Sequence, residues 1–117
     1  MTAQETVNEV YATAQMIAQV AFSEAVERDG DMDIARDLIW EQCDGTQDVI
    51  YYGKAANVVA AFGEDGLGWQ VLMRADSELQ NSDYQYESYS DLCVALSFYV
   101  HVQLAYDALA AIEEAAA

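Results

Sequence analysis

Residues 91–114, DLCVALSFYVHVQLAYDALAAIEE, are apolar on almost every side when wound into a helix. Such a helix lies either at the centre of a core or between two subunits, because no face of it suits water. The chain has 117 residues and no proline, so only glycines and helix caps are available to end its helices. We therefore predict an all-α protein, a single helical domain over residues 1–117, folded as a compact bundle of four to five helices with an acidic surface.

Apolar spacing predicts a first helix over residues 3–28 and a second over 34–43. Thr2 or Thr6 caps the first helix, and its inward stripe is Val7, Val10, Ala14, Ile17, Ala21 and Ala25. Arg28 followed by Gly30 indicates where it ends. For the second helix, the predicted caps are Asp31 and Asp33, and the predicted inward residues are Ile34 and Leu38 with Ile39 or Trp40.

The rest of the chain is predicted to hold two more helices before the apolar one. Asp44 and Gly45 indicate a turn, after which Thr46 caps a helix over 47–62. The inward stripe of that helix is predicted as Val49, Tyr52, Ala56, Val59 and Ala60. A glycine-rich loop at 63–68 precedes a shorter helix over 69–79, with Trp69, Leu72, Met73 and Leu79 as its apolar residues. Residues 80–89 are predicted to be a loop, and Ser88 or Ser90 caps the last helix.

Residues that carry chemistry are few. Cys43 and Cys93 are expected to be buried, reduced thiols, because two cysteines without a second pair make neither a disulfide framework nor a zinc site. His101 is the only histidine and is expected to be packed and hydrogen-bonded. Residues 29–33 lack the full pattern of a calcium loop, and no phosphate loop or nucleophile elbow is present. We expect no catalytic residue, metal or cofactor, and so no enzyme. Without a signal peptide or a long apolar run, we expect a cytoplasmic protein and no membrane partner.

Charge is the unusual property of this sequence. There are 21 acidic residues against four basic ones, for a net charge of −17. A net charge of magnitude about 2–8 is enough to keep a small domain soluble, and excess like charge destabilises the compact state. We therefore predict a basic protein partner, and no direct binding to nucleic acid. Two simpler explanations stay open, a solvated surface and an adaptation to high salt.

The acidic residues cluster along the chain. Nine of them fall within 25 residues against two arginines, and we predict that they bind the partner: Glu24, Glu27, Asp29, Asp31, Asp33, Asp37, Glu41, Asp44 and Asp48. Asp33, Asp37, Glu41 and Asp44 are spaced by four, four and three, which places them on one ridge of the second helix. A secondary predicted set is Glu64, Asp65, Asp76 and Glu78. At the linear charge density of duplex DNA, seventeen charges match about 29 Å of duplex.

Two segments carry a family resemblance. Residues 49–67, VIYYGKAANVVAAFGEDGL, and residues 33–39, DIARDLI, resemble in order and character the phage overcome-classical-restriction (Ocr) DNA mimics. That resemblance implies a dimer whose acids imitate bent duplex DNA and occupy the DNA-binding site of a restriction enzyme or CRISPR–Cas complex in the host cytoplasm. The chain departs from the family in its modestly acidic tail, residues 113–117. The alternative is an acidic antitoxin or adaptor that binds a basic client without imitating DNA.

Overall fold

The computed structural model describes residues 2–46, 54–83 and 85–116, and all regular structure within those ranges is helical. The five helices there are α1 (Ala3–Glu27), α2 (Met32–Thr46), α3 (Ala55–Glu64), α4 (Gly68–Asn81) and α5 (Tyr89–Ala116). The predicted all-α bundle of four to five helices is confirmed.

Helix α5 is the central element, because it packs against α1, α2, α3 and α4. Its buried residues point to several sides and include Val100, Val102, Leu104, Ala105 and Leu109. By length and composition alone α5 could also cross a membrane, so the length of apolar runs does not argue against a span here. More than half of that apolar window, 56%, is buried inside the protein. The apolar character of α5 therefore matches its place in the core, one of the two placements that the sequence left open.

Helix α1 follows its prediction closely. Every residue of the predicted stripe is buried, and Ala18 joins it. The Thr2 hydroxyl accepts the backbone N–H of Glu5 at 3.2 Å, which makes Thr2 the cap. At the other end, Asp29 and Gly30 have positive φ angles of 76° and 73°, and the Gly30 N–H donates to the Ala25 carbonyl at 2.8 Å. Aspartate is one of the few residues that tolerate this left-handed conformation, so the chain turns sharply into α2.

Helices α1 and α5 run in the same direction. Helix α2 folds back on α1 after a connection of four residues and packs along it, so these two helices are antiparallel. Helix α2 runs the opposite way against α5, since Arg36 lies beside Glu113 whereas Trp40 lies beside Tyr99. The carboxyl ends of α1 and α5 and the amino end of α2 therefore lie at the same end of the molecule.

Helix α2 corrects one prediction. The expected turn at Asp44 and Gly45 and the cap at Thr46 are wrong, because α2 continues through both positions to Thr46. Glycine costs a helix only about 1 kcal/mol relative to alanine, and the buried face of α2 continues over three turns. That buried face is Ala35, Ile39 and Cys43, while Ile34 and Leu38 are half-buried.

Helix α3 shows a second correction. Its predicted start falls within residues 47–53, outside the described residues, as do Val49 and Tyr52 of its predicted stripe. The rest of that stripe is wrong, because Ala56 and Ala60 are exposed and Val59 is only half-buried. The buried residues are Ala55, Val58, Ala61 and Phe62. This segment is apolar on most sides, so its spacing allowed more than one orientation, and the large Phe62 ring takes the core position.

Helix α4 and the last loop differ only in detail. Leu72 and Leu79 are buried as expected, together with Val71 and Ala75, whereas Trp69 and Met73 are exposed. Residues 82 to 88 are not helical where described, and the Ser88 hydroxyl accepts the Asp91 N–H at 3.2 Å. Ser88 rather than Ser90 therefore precedes and caps α5.

The thiols and the histidine are buried, as predicted. Cys43 and Cys93 are free and lie in the interior. Burial raises the pKa of the Cys43 thiol to about 12, so this thiol stays protonated and unreactive at neutral pH. The His101 Nδ1–H donates to the Ser97 carbonyl at 2.7 Å, one turn earlier in α5. Burial lowers the pKa of His101, against smaller opposing effects of that hydrogen bond and of Glu9.

Candidate acidic partner-binding surface

Four carboxylates form a row along the outer side of α2, and we call them the α2 ridge. At 100° per residue they lie within about 80° of one another, facing away from the buried side of the helix. The row extends over about 16 Å of helix axis at 1.5 Å per residue. All four side chains are exposed: Asp33, Asp37, Glu41 and Asp44. The burial pattern of α2 therefore directs this row to solvent, as its spacing predicted.

Further acids gather where α1 and α5 end and α2 begins, and we call this region the acidic end. The sequence predicted Glu24, Glu27, Asp29 and Asp31 as part of the site, and all four lie here on the last turn of α1 or the connection to α2. The structure adds Glu113, whose Oε1 lies 4.0 Å from Arg36 Nη2, and its neighbour Glu114. Sequence reasoning missed these two because they are remote in the chain from α2 and no local pattern links them to it.

Helix dipoles increase the negative potential of the acidic end. The carboxyl end of a helix carries about half a negative charge, and the parallel α1 and α5 both end there. Neither helix has a basic residue in its last turn. Glu27 and Glu114 therefore lie where the helix dipole disfavours a carboxylate. The amino end of α2 offsets part of this, and Asp31 uses it by accepting the Asp33 N–H at 2.9 Å.

Most of the positive charge is already used within the chain. Arg28 lies 3.6 Å from Glu24, and Arg36 lies 3.1 Å from Asp33. Arg74 forms a two-pronged pair with Asp107, at 2.6 and 3.1 Å, between α4 and α5. Within the ranges that the structure covers, no Lys or Arg comes within 4.0 Å of the remaining predicted acids on α1, α2 and their connection: Glu27, Asp29, Asp31, Asp37, Glu41 and Asp44. Asp48, the last of the nine, lies outside the described residues.

No family model, no curated protein and no solved structure matches this chain. The resemblance to Ocr-type DNA mimics thus stays a prediction from the sequence. What the chain binds has to be argued from the placement of its own side chains.

The secondary set of acids does not continue the α2 ridge. Helix α4 packs mainly against α3 and α5, whereas α2 packs mainly against α1 and α5. The Asp65 Oδ1 accepts the N–H groups of Leu67 and Gly68, each at 2.8 Å, and so holds the turn between α3 and α4. Asp76 and Glu78 are two residues apart and lie on opposite flanks of the buried face of α4, about 160° apart. With Glu64 at the end of α3, these acids are distributed around a different part of the molecule.

One exposed region of α1 has no charge at all. Between Glu9 and Glu24 the sequence contains no Asp, Glu, Lys or Arg. We call the exposed residues of segment 10–23 the neutral stripe, and it includes Met16 and Val20, whose exposed fractions are 59% and 55%. Glutamine and serine fill most of its other outward positions. The acidic residues are therefore concentrated in particular places, and exposure alone does not determine where they occur.

An open groove of about 490 Å³ lies between α1 and α3. It contains Glu9, Lys54 and Glu64 among mostly small side chains. Among the residues that the structure describes, no three or more His, Cys, Asp or Glu side chains are placed to hold a metal ion. The acidic surface is accordingly the feature of the described chain with the strongest chemical character, and its chemistry is that of a fixed polyanion.

Proposed function

We propose that this protein is a DNA-mimic inhibitor, which binds the DNA-binding site of a basic protein in a bacterial defence system, such as a restriction enzyme or a CRISPR–Cas complex. The observation that carries the proposal is the α2 ridge and its continuation into the acidic end. Carboxylates in this arrangement replace the phosphates that the lysines and arginines of the target normally bind. The proposed partner is a protein in the bacterial cytoplasm, without direct contact to nucleic acid or membrane.

The neutral stripe favours this proposal over a general adaptation to high salt. An adaptation that works through hydration or solubility would distribute acids over all exposed positions. Here the outward side of α1 carries none between Glu9 and Glu24, whereas the end of the same helix is strongly acidic. Acids that are dense at the end of α1 and on α2 and missing from the exposed middle of α1, at a cost in self-repulsion, suit recognition of a basic surface.

Charge density defines how much of the surface the mimic needs. Duplex DNA carries one charge per about 1.7 Å of axis, or 3.4 Å for one strand. The α2 ridge alone presents one carboxylate per about 5.5 Å of helix axis, which is sparser than one strand. The ridge and the acidic end together hold ten carboxylates against Arg28 and Arg36. Their eight net charges correspond to about 14 Å of duplex at that density, so the proposal requires the acidic end together with the ridge.

Rigid placement gives the carboxylates their advantage over a disordered acidic tail. The α2 ridge is held by three buried side chains on the opposite side of the helix, so its spacing is fixed before binding. Fixed charges lose little conformational entropy on association and steer a basic partner from a distance. Binding should weaken as salt rises, because the screening length falls from about 10 Å at 0.1 M to about 3 Å at 1 M.

A capture experiment tests this function. The immobilised protein is incubated with bacterial lysate, washed at low salt, and then eluted separately with high salt and with duplex DNA. We expect a nuclease or a subunit of a defence complex that both elutions release. Recovery of proteins that do not bind DNA, or of a protein that still binds duplex in the presence of saturating inhibitor, would contradict the proposal.

A second candidate is an acidic antitoxin or adaptor that binds a basic client without imitating DNA. It is favoured by the secondary acids, which surround α3 and α4 and do not extend the α2 ridge. A client with basic residues on several sides could use such a distribution, whereas a DNA-binding cleft could not. The elution with duplex DNA separates the two functions, because a client of this kind stays bound in excess duplex.

A further inference from the structure

Four aromatic side chains meet between α2 and α5, and we call them the aromatic patch. The Trp40 ring centroid lies 4.9 Å from that of Phe98 and 5.8 Å from that of Tyr99. The Phe98 and Tyr99 rings also contact each other edge to face, with centroids 5.3 Å apart, and Tyr106 follows on the same helix two turns after Tyr99. Trp40 remains 39% exposed, and the other three rings are half-buried. The Trp40 ring is therefore held in a fixed orientation while part of it faces solvent.

Trp40 lies outside the fully buried side of α2. The buried side of α2 is already formed by Ala35, Ile39 and Cys43, and Trp40 lies between that side and the α2 ridge. Exposed tryptophans with fixed rings are the side chains that most often dominate binding energy at protein interfaces. The position of Trp40 is thus that of a contact residue on the border of the acidic surface.

Carboxylates flank the ring along the helix. Asp37 is three residues before Trp40 and Asp44 is four residues after it, and both spacings make side chains neighbours on a helix. Arg36 lies between Asp33 on α2 and Glu113 on α5, which shows that a guanidinium fits between acids of these two helices.

We propose that the aromatic patch receives an arginine side chain of the partner, with the guanidinium stacked on Trp40 and paired with Asp37 or Asp44. This inference rests on the proposed function and deepens it, because it specifies arginine rather than any cation. The guanidinium is planar and weakly hydrated, so it stacks on an indole and binds carboxylates at the same time. A lysine ammonium is compact and strongly hydrated, and gains less from the ring.

Two peptides of equal charge test the inference. Fluorescein-labelled octa-arginine and octa-lysine are titrated with the full chain at low salt, and the dissociation constants are measured by fluorescence anisotropy. We expect octa-arginine to bind roughly two- to five-fold more tightly, the range expected of one exposed cation–π contact. Trp40→Leu should remove this preference and lower the affinity for octa-lysine less than that for octa-arginine.

Trp69 provides the matched control. It is a comparably exposed tryptophan, at 49%, on α4, which packs mainly against α3 and α5. Trp69→Leu should leave the preference for arginine intact. Trp40→Phe keeps a ring in the patch and should retain part of the preference, and circular dichroism verifies that each variant is folded. Replacing Asp37 and Asp44 by asparagine should weaken the binding of both peptides.

The outcomes separate this inference from the function on which it rests. Equal affinity for the two peptides, or a preference that survives Trp40→Leu, overturns the arginine site. If both peptides still bind and are released by salt, the proposed polyanionic function stands without it. If neither peptide binds the folded protein at low salt, the arginine site and the proposed function both fail.

Discussion

The acidic end and the neutral stripe are both exposed to water, and they adjoin along α1. The acidic end combines carboxylates from α1, α2 and α5 with two helix carboxyl termini, whereas the neutral stripe has no charged side chain. Both regions lie opposite the same kind of buried face, a row of small apolar residues. The difference shows that the core determines which side faces outward, and that a separate requirement determines what the outward side carries.

That requirement has a cost in stability. Like charges three or four residues apart on a helix repel by about 0.2–0.5 kcal/mol per pair, and acids at a helix carboxyl end lose a similar amount. The neutral stripe has neither neighbouring like charges nor acids at the carboxyl end of the helix. A sequence selected only for a stable, soluble bundle would have spaced its acids and interspersed them with lysines. The acidic end is therefore the part of the molecule where stability and binding are expected to oppose each other.

The largest expected effect separates the position of the charge from its amount. Changing Asp33, Asp37 and Glu41 to lysine should weaken binding to the captured basic protein by at least about 100-fold, because like charges then face one another across the interface. A matched variant changes Glu78, Asp83 and Glu87 to lysine, with the same change in net charge at exposed positions around the end of α4. That variant should lose less than about tenfold, since only long-range attraction is reduced.

Dissociation constants and helicity of both variants check this prediction. Equal losses in the two variants would show that total charge, and not the α2 ridge, attracts the partner. In that case the difference between the acidic end and the neutral stripe would not contribute to partner binding.

The second effect uses acid to compare the buried interior with the acidic end. His101 is buried on α5, and burial lowers its pKa in the folded protein. The unfolded chain then takes up the proton more readily, so the unfolding free energy should fall as pH drops below about 6.5. One such group changes the unfolding free energy by at most about 1.4 kcal/mol per pH unit.

Denaturant unfolding at pH 7.5 and at pH 5.5 measures this loss. His101→Gln keeps a donor for the Ser97 carbonyl without a titrating ring, and should make the stability less dependent on pH in this range. If the unfolding free energy of His101→Gln still depends on pH as strongly as that of the unmodified protein, groups other than His101 cause the dependence.

The smallest expected effect concerns repulsion itself. Replacing Asp37 by Asn removes two like-charge pairs, with Asp33 and with Glu41, and should raise the unfolding free energy by about 0.4–1 kcal/mol at low salt. Introducing Glu at Gln15 and Gln19 creates one such pair on the neutral stripe, and should lower the unfolding free energy by about 0.2–0.5 kcal/mol. Thermal unfolding measures both changes. A difference that persists at 1 M salt would not come from charge, because screening is nearly complete there.

The accuracy of the sequence predictions depended on how clearly one side of a helix differed from the other. In α1, apolar and polar positions alternate with a clear helical period, and the buried stripe was predicted correctly. In α2 the spacing of the acids placed the ridge on the exposed side, but of the predicted inward residues only Ile39 is buried, whereas Ile34 and Leu38 are half-buried. In α3 the period is blurred by alanine and valine on most sides, and the predicted stripe was wrong. Gly45 was interpreted as a stop signal, although a helix tolerates one glycine near its end.

The candidate site was predictable only within one helix or one turn. Glu113 joins the acidic end through the parallel packing of α1 and α5, which no local spacing reports. The secondary set was grouped by sequence distance alone. The separation of Asp76 from Glu78 was foreseeable, since residues two apart on a helix do not share a face. Residues that are neighbours but far apart in the chain can be identified only once the fold is known, whereas a row of residues on one helix can be predicted from spacing alone.

The parallel arrangement of the first and last helices also determines where a label can be attached. Helix α1 has 25 residues and is therefore about 37 Å long, so its first turn and the last turn of α5 lie at opposite ends of the molecule. A fluorophore or fusion partner joined ahead of α1 is held far from the clustered carboxylates. The same group joined after α5 stands among them, where a polyhistidine or other cationic tag would occupy the surface intended for a partner.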